Sequence, residues 1–381
     1  IGIHTGDVVA GQMGAAQRIE HLAMGSTPNI AARVQSIASP GQVLLTQDTY
    51  DLVRRSIACI PRGMRKVKGI AREIPVFEAE RVISRFSPDG VDQDAPPFVG
   101  RDDELVQLDR AFSLAASGQG QVVLLSGDAG IGKTRLVSEF RRNAYKESAW
   151  FDFYCTPFHR NTTLHPVVTH LEHTLHLTDA ESVEHKRELV ESWLHRAGSY
   201  DESTFQRMTQ MRNIADVDSP TGRSARHETR ASLSQILESI ASRRPVVMAF
   251  ENLHWCDPTT LEFLETLIGR IESQKVLIVL MHRPGFDPSW IEPTYQQTLE
   301  LRQLSNDAAN TLVATWTRSR HLPENLRHQI VERSNGIPLF LEELARTIAS
   351  SDAATRDEIP NSLKDLLMAK IDTLGPGIEL L

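Results

Sequence analysis

Gly127, Gly130 and Gly132 are followed at once by Lys133 and Thr134, and the run from 127 to 134 satisfies G-x-x-x-x-G-K-[ST] at every fixed place. Glycines at these positions let the backbone take turns that a Cβ forbids, so successive N–H groups face one anion. Gly127, Gly130, Ile131 and Gly132 are therefore the predicted backbone contacts of a polyphosphate. A helix starting here adds the partial positive charge of its N-terminus. Lys133 has the reach for the outer phosphates, and the Thr134 hydroxyl suits one site on a Mg²⁺ ion. Such an ion needs a second contact. The apolar run Pro245–Phe250 ends in Glu251, the predicted partner of Thr134 on the metal.

These side chains need a sheet to hold them. Apolar runs predict strands at Gln121–Ser126, Ala149–Tyr154, Val246–Glu251, Val276–Met281 and Gln297–Leu301. Amphipathic runs predict helices at Arg135–Tyr145, Val167–His176, Arg226–Ser242, Pro258–Arg270 and Asn306–Trp316, with Asp257 as cap and Pro258 in the first turn of one of them. Strands alternating with helices imply an α/β fold with a parallel sheet. Further helices are expected at Pro323–Arg333, Leu339–Ala349 and Asn361–Leu374. The predicted organisation is an α+β, ferredoxin-like module over 1–81, a Pro-rich linker over 82–97, and a nucleotide-binding domain over 98–304. A small helical lid over 305–350 and the start of a further helical domain over 351–381 complete it.

A length of 381 residues predicts two or three domains, and 40% apolar with 24% charged residues fits globular protein. The net charge of −8 argues against direct binding to nucleic acid or to an anionic membrane. No apolar run reaches the roughly eighteen residues that a membrane helix requires. The three cysteines, Cys59, Cys155 and Cys256, form no C-x-x-C pair; they are expected to be small buried hydrophobes in a reducing, cytoplasmic setting. A strand-like run at Ile1–His4 suggests a chain cut from something longer.

The segments Phe98–Leu105, Gly127–Thr134, Glu251–Leu264, Arg283-Pro284 and Asn335–Leu344, in this order, resemble a STAND-type, AAA+-like signalling ATPase. The resemblance implies ATP and Mg²⁺ as ligands. It places Val99, Gly100 and Arg101, and the later Pro338, near the adenine, and makes Arg283 the sensor of the γ-phosphate from the fourth strand. That family usually has two acids where this chain has Glu251-Asn252. An amide orients a water but accepts no proton from it. Phosphoryl transfer depends mainly on positioning and charge, so a slow ATPase acting as a bound-nucleotide switch is expected.

In the first eighty residues, Thr27 and Pro28 predict a helix start, with Ile30, Val34, Ile37 and Ala38 on the face toward a sheet. Asn29 and Arg33 share another face, and an arginine fork beside an amide suits a triphosphate and its ribose. The segments 2–11, 25–46 and 67–70 resemble the C-terminal half of a class III nucleotide cyclase catalytic domain. The resemblance makes Asn29 the ribose-orienting residue, Arg33 the transition-state residue and Lys68 a triphosphate contact, and it implies a homodimer with its site at the interface. Leu22 stands where many such enzymes have a polar, substrate-specifying residue. The family's two metal-binding aspartates fall upstream of Ile1. Cyclisation needs those metals, so this stretch alone is expected to be inactive as a cyclase.

His170, His173 and His176 recur beside Glu172, yet Val167, Leu171 and Leu175 explain the segment as an amphipathic helix with a polar face. The sequon at Asn161 is expected to be silent, and 179–230 to form helices and a mobile loop. Two readings follow. One is an ATP switch attached to a cyclase, making cyclic AMP in response to an unknown input and protein partner. The other is an ATP-dependent regulator or scaffold whose cyclase-like module is an inactive sensor.

Overall fold

The computed structural model describes residues 1–6, 8–13, 20–54, 57–66, 73–82, 97–144, 148–175, 177, 182–211, 223–287, 290–291, 296–316 and 323–350. Lys68, His176 and the helix expected over Asn361–Leu374 lie outside them, as does most of the 82–97 linker. The chain separates into two compact units, Phe98–Gln303, and Ile1–Pro97 together with Leu304–Leu381.

The N-terminal part runs β1 (Gly2–Ile3), β2 (Val9–Met13), β3 (Glu20–Met24), α1 (Ser26–Ser36), β4 (Leu44–Thr46), α2 (Gln47–Val53), β5 (Ile57–Arg65) and β6 (Ile74–Val82). A mixed sheet has the order β1-β4-β6-β5, with β1 parallel to β4 and the other pairs antiparallel. β2 and β3 form a separate antiparallel ribbon. Val34 of α1 packs on Leu44 and Val76, flanked by Ile30, Ala38 and Ile74. Two local expectations change. The helix starts at Ser26 after Gly25, whose φ of 132° makes the entry turn, so Thr27 lies buried inside the helix and Gly25 takes the cap position. Ile37 follows the last helical residue and is 39% exposed, because the helix ends before its side chain reaches the sheet.

The second unit runs α3 (Asp102–Ala116), β7 (Gln121–Gly127), α4 (Lys133–Ala144), β8 (Ala149–Tyr154), α5 (His165–Thr174), α6 (Val183–Ala197), α7 (Glu202–Met211), α8 (Arg223–Arg243), β9 (Val246–Glu251), α9 (Pro258–Ile268), β10 (Val276–His282) and β11 (Gln296–Leu301). All five strands are parallel, in the order β11-β7-β10-β9-β8. The central strands β9 and β10 are buried on both faces and read as continuous apolar runs, every residue of both being buried, whereas the edge strand β11 is polar and partly exposed. Asp257 caps α9 as expected, accepting from Thr260 N at 3.0 Å, and also takes the N–H of Leu164 at 3.1 Å. A buried ion pair, Arg141–Asp152 at 2.7 Å, fastens α4 to β8.

His170 does not lie on a solvent-facing polar surface. Its Nδ1 is 3.0 Å from the Asp152 carbonyl, its Nε2 is 3.2 Å from Thr174 Oγ1, and its ring rests against Phe151 and Phe153. The helix packs on β8 through this ring, and Val167 is buried in the same core. Among the described residues no group of three or more His, Cys, Asp or Glu is placed to hold a metal. Cys155 and Cys256 are buried, as expected of small hydrophobes, and a hydrogen bond between them and burial push the Cys155 thiol up; Cys59 is only half-buried.

Beyond Leu304 come α10 (Asn306–Trp316), α11 (Glu324–Ser334) and α12 (Pro338–Ser350). Asn335 at φ 49° and Gly336 at φ 66° make the left-handed turn that ends α11, and Gly336 O receives Leu304 N at 2.9 Å. No helix of the described residues is long and apolar enough to cross a membrane.

Candidate functional site

β7 ends at Gly127, and residues 128–132 turn the chain into α4. The turn requires its glycines. A Cβ on Gly127 would stand 2.9 Å from Ile131 Cγ2 and 3.0 Å from Leu301 O, while Gly130 and Gly132 have φ of 77° and 102°. Ile131 is buried and pins the turn to the core from within. Lys133 folds back over it, with Nζ donating to Gly127 O at 2.7 Å and Asp128 O at 3.0 Å. Burial first, then the Arg283 charge, lower the Lys133 pKa, with Glu251 and Asp128 opposing.

β9 delivers Glu251 to the same place. Thr134 Oγ1 donates to Glu251 Oε1 at 2.5 Å, and Glu251 Oε2 is buried without a hydrogen-bond partner. A buried carboxylate oxygen left open beside a hydroxyl fits a hard divalent cation, since both donors are oxygens of the type Mg²⁺ selects. Asn252 follows in the left-handed region, φ 57° and ψ 45°, a conformation that Asn and Asp adopt more readily than other side chains.

Past it, the 3-10 turn Leu253–Trp255 carries His254, whose ring nitrogens are both buried and without partners. Burial, then Arg283, Lys133, His282 and Arg160, hold its pKa down to about 4. Arg283, just beyond the end of β10, is exposed and lies over the Trp255 ring at 5.1 Å. Sequence reasoning passed over His254, His282 and Arg160. The signal available was a titratable ring beyond a strand on the carboxyl edge of a parallel sheet, where ligands bind in open α/β folds.

Val99, Gly100 and Arg101 precede α3, with Gly100 at φ 67°. Arg101 is 7% exposed, and its guanidinium is engaged by protein: Ile131 O at 3.4 Å, Arg302 O at 2.5 Å and Glu104 at 3.0 Å. It therefore braces the cradle from behind, a role its sequence position did not reveal. Pro338 opens α12 in the other unit. Asn29 and Arg33 sit on α1, where the Asn29 amide donates to Gly25 O at 2.9 Å. Lys68, the third residue of that set, lies outside the described residues.

A parallel sheet whose strand runs through a glycine turn into a helix, with an acid at a nearby strand end, defines a P-loop nucleotide-binding fold. Residues 97–279 match the family model of the AAA ATPase domain, and residues 1–78 that of the adenylate and guanylate cyclase catalytic domain. The chain thus joins a cyclase domain region to an AAA ATPase domain. An uncharacterized protein of Rhizobium meliloti is 29% identical over 374 residues, covering 93% of this chain and 36% of that protein. Adenylate cyclase 1 of the same species is 31% identical over 84 residues, covering 22% of this chain and 13% of its own length. The structure of a Pyrococcus horikoshii STAND protein with a tetratricopeptide repeat sensor is similar at 15% identity and a TM-score of 0.37, over 76% of this chain and 35% of that one. The chain therefore spans about a third of the first relative's length.

Proposed function

We propose that Phe98–Gln303 is an ATP-binding switch, slow in hydrolysis, that regulates the cyclase region joined to it. The observation that carries this reading is the Thr134–Glu251 contact at 2.5 Å with the second carboxylate oxygen left open. The N–H groups of the glycine turn would hold the phosphates. Lys133, leaving the carbonyls of Gly127 and Asp128, would pair with the outer ones. Thr134 and Glu251 would hold Mg²⁺, which neutralises phosphate charge when bound. Asn252 orients the attacking water without accepting its proton, and Arg283 reads the γ-phosphate. Backbone around Val99-Gly100 is assigned to the adenine on this reading.

For the cyclase region we assign Asn29 to the ribose, Arg33 and Lys68 to the triphosphate of ATP, and the working state to a homodimer. The Rhizobium adenylate cyclase match supports the choice of substrate. The three free thiols support a cytoplasmic setting. A second reading, a regulator or scaffold with an inactive cyclase-like sensor, draws on the Asn29 amide being engaged by Gly25 O. Cyclic nucleotide assay of the full-length protein against Arg33→Ala separates the two: production that Arg33→Ala abolishes supports the first.

Titration of the chain with Mg–ATP, beside Lys133→Ala, tests the switch itself. Affinity is expected to fall at least about ten-fold, the loss of one charge-assisted contact. Equal affinity in the two proteins removes the basis of the proposal.

A further inference from the structure

Both ring nitrogens of His254 are buried and unpartnered. A buried polar group with no partner is destabilising, and natural folds keep few of them without a use. The position of this one supplies a use. His254 lies three residues past Glu251, with its ring centroid 4.6 Å from that of Trp255. The charged and titratable groups that face it come from each neighbouring element: Arg283 and His282 from the end of β10, Lys133 from the cradle, and Arg160 from the β8–α5 connection. Each of these is a cation or becomes one on protonation. An imidazole that needs a partner, set among cations at the phosphate cradle, is complementary to an anionic oxygen.

We propose that His254 contacts the terminal phosphate of the bound nucleoside triphosphate, donating a ring N–H to one of its oxygens, and so distinguishes triphosphate from diphosphate. This rests on the triphosphate reading of the cradle given above. In the free site, burial first and then the charges of its neighbours, Arg283 foremost, keep the ring neutral at pH 7, with a pKa of about 4. Phosphate charge placed among those neighbours offsets them, so the ring gains a proton from solvent as the triphosphate enters. A diphosphate lacks the group that faces the ring and draws less.

Calorimetric titration of the whole chain with Mg–ATP and with Mg–ADP, at pH 6.5 in two buffers of different ionisation enthalpy, reads the protons taken up. Greater uptake with ATP than with ADP is expected. His254→Leu, which fills the space without the unpartnered nitrogens, is expected to keep or raise the Tm. It should abolish the uptake difference and lower ATP affinity about ten-fold or more, with ADP affinity changing less than about three-fold. Equal uptake for both nucleotides in the wild type overturns the inference and leaves the cradle standing. A folded His254→Leu protein with the wild-type ATP/ADP affinity ratio does the same. His254→Ala repeats the comparison if the Leu protein does not fold. If Lys133→Ala binds ATP as the wild type does, the reading of the cradle falls and this inference with it.

Discussion

Thr134 and Glu251 stand 117 positions apart in the chain and 2.5 Å apart in the fold. Thr134 stands in the first turn of α4, which follows β7, and Glu251 ends β9; these two strands are not neighbours, because β10 runs between them. The parallel alignment of all three puts their carboxyl ends at one edge of the sheet, and this edge is the site.

Glu251→Gln keeps the shape and an oxygen for the Thr134 hydroxyl but removes the charge that suits a cation. Nucleotide affinity of this variant is expected to be the same with Mg²⁺ as with EDTA, and any hydrolysis to fall about 100-fold or more. Retention of the wild-type Mg²⁺ dependence would remove Glu251 from the metal role.

Asn252→Asp restores the second acid at a left-handed position that Asp also tolerates, so the backbone has no reason to move. Turnover at saturating ATP and Mg²⁺ is expected to rise. A rate at or below the wild type would show that proton acceptance at this position does not limit hydrolysis.

Arg101→Met should weaken nucleotide binding without touching nucleotide, because the carbonyls of Ile131 and Arg302 lose a buried donor. The stability loss is expected at about 1.5–3 kcal/mol by urea denaturation, with lower ATP affinity in the same protein. Unchanged stability with lost affinity would instead place Arg101 on the ligand.

His170 sets a pH dependence of stability. Its pKa is about 4 in the fold, chiefly through burial, against about 6.5 in the unfolded chain. Between these values the unfolded state holds more protons, so this contribution is complete above pH 6.5 and is lost as pH falls toward 4. The slope is at most about 1.4 kcal/mol per unit. Urea midpoints across pH 4.5–7.5 should show it, and His170→Asn should flatten it; an equal slope in both proteins would assign the effect elsewhere.

Much of the nucleotide-binding unit was legible in the chain. Ala149–Tyr154 and Val246–Glu251 have the predicted bounds, and so does Asn306–Trp316 in the other unit, because apolar strand runs and a strongly periodic helix declare themselves over short stretches. The cradle was legible for the same reason, since its chemistry lies in eight consecutive residues. Glu251 was legible only through the cradle: a strand-ending acid acquires a metal role once a phosphate site is known upstream. The start of α1 was misread because Gly25 turns the chain before Thr27, and His170 because helical spacing identifies a face without saying what covers it.

The amino-acid sequence alone determined which segments form strands and helices, where the glycine turn falls, and which residue types stand in it, all set by backbone sterics and hydrophobic period over a few residues. The tertiary structure alone decided the order β11-β7-β10-β9-β8, the reach of Arg101 to Arg302 and the cationic surroundings of His254. Those depend on which distant strands pair and which groups lose water together, and free energies of that kind are settled only when the whole sheet closes.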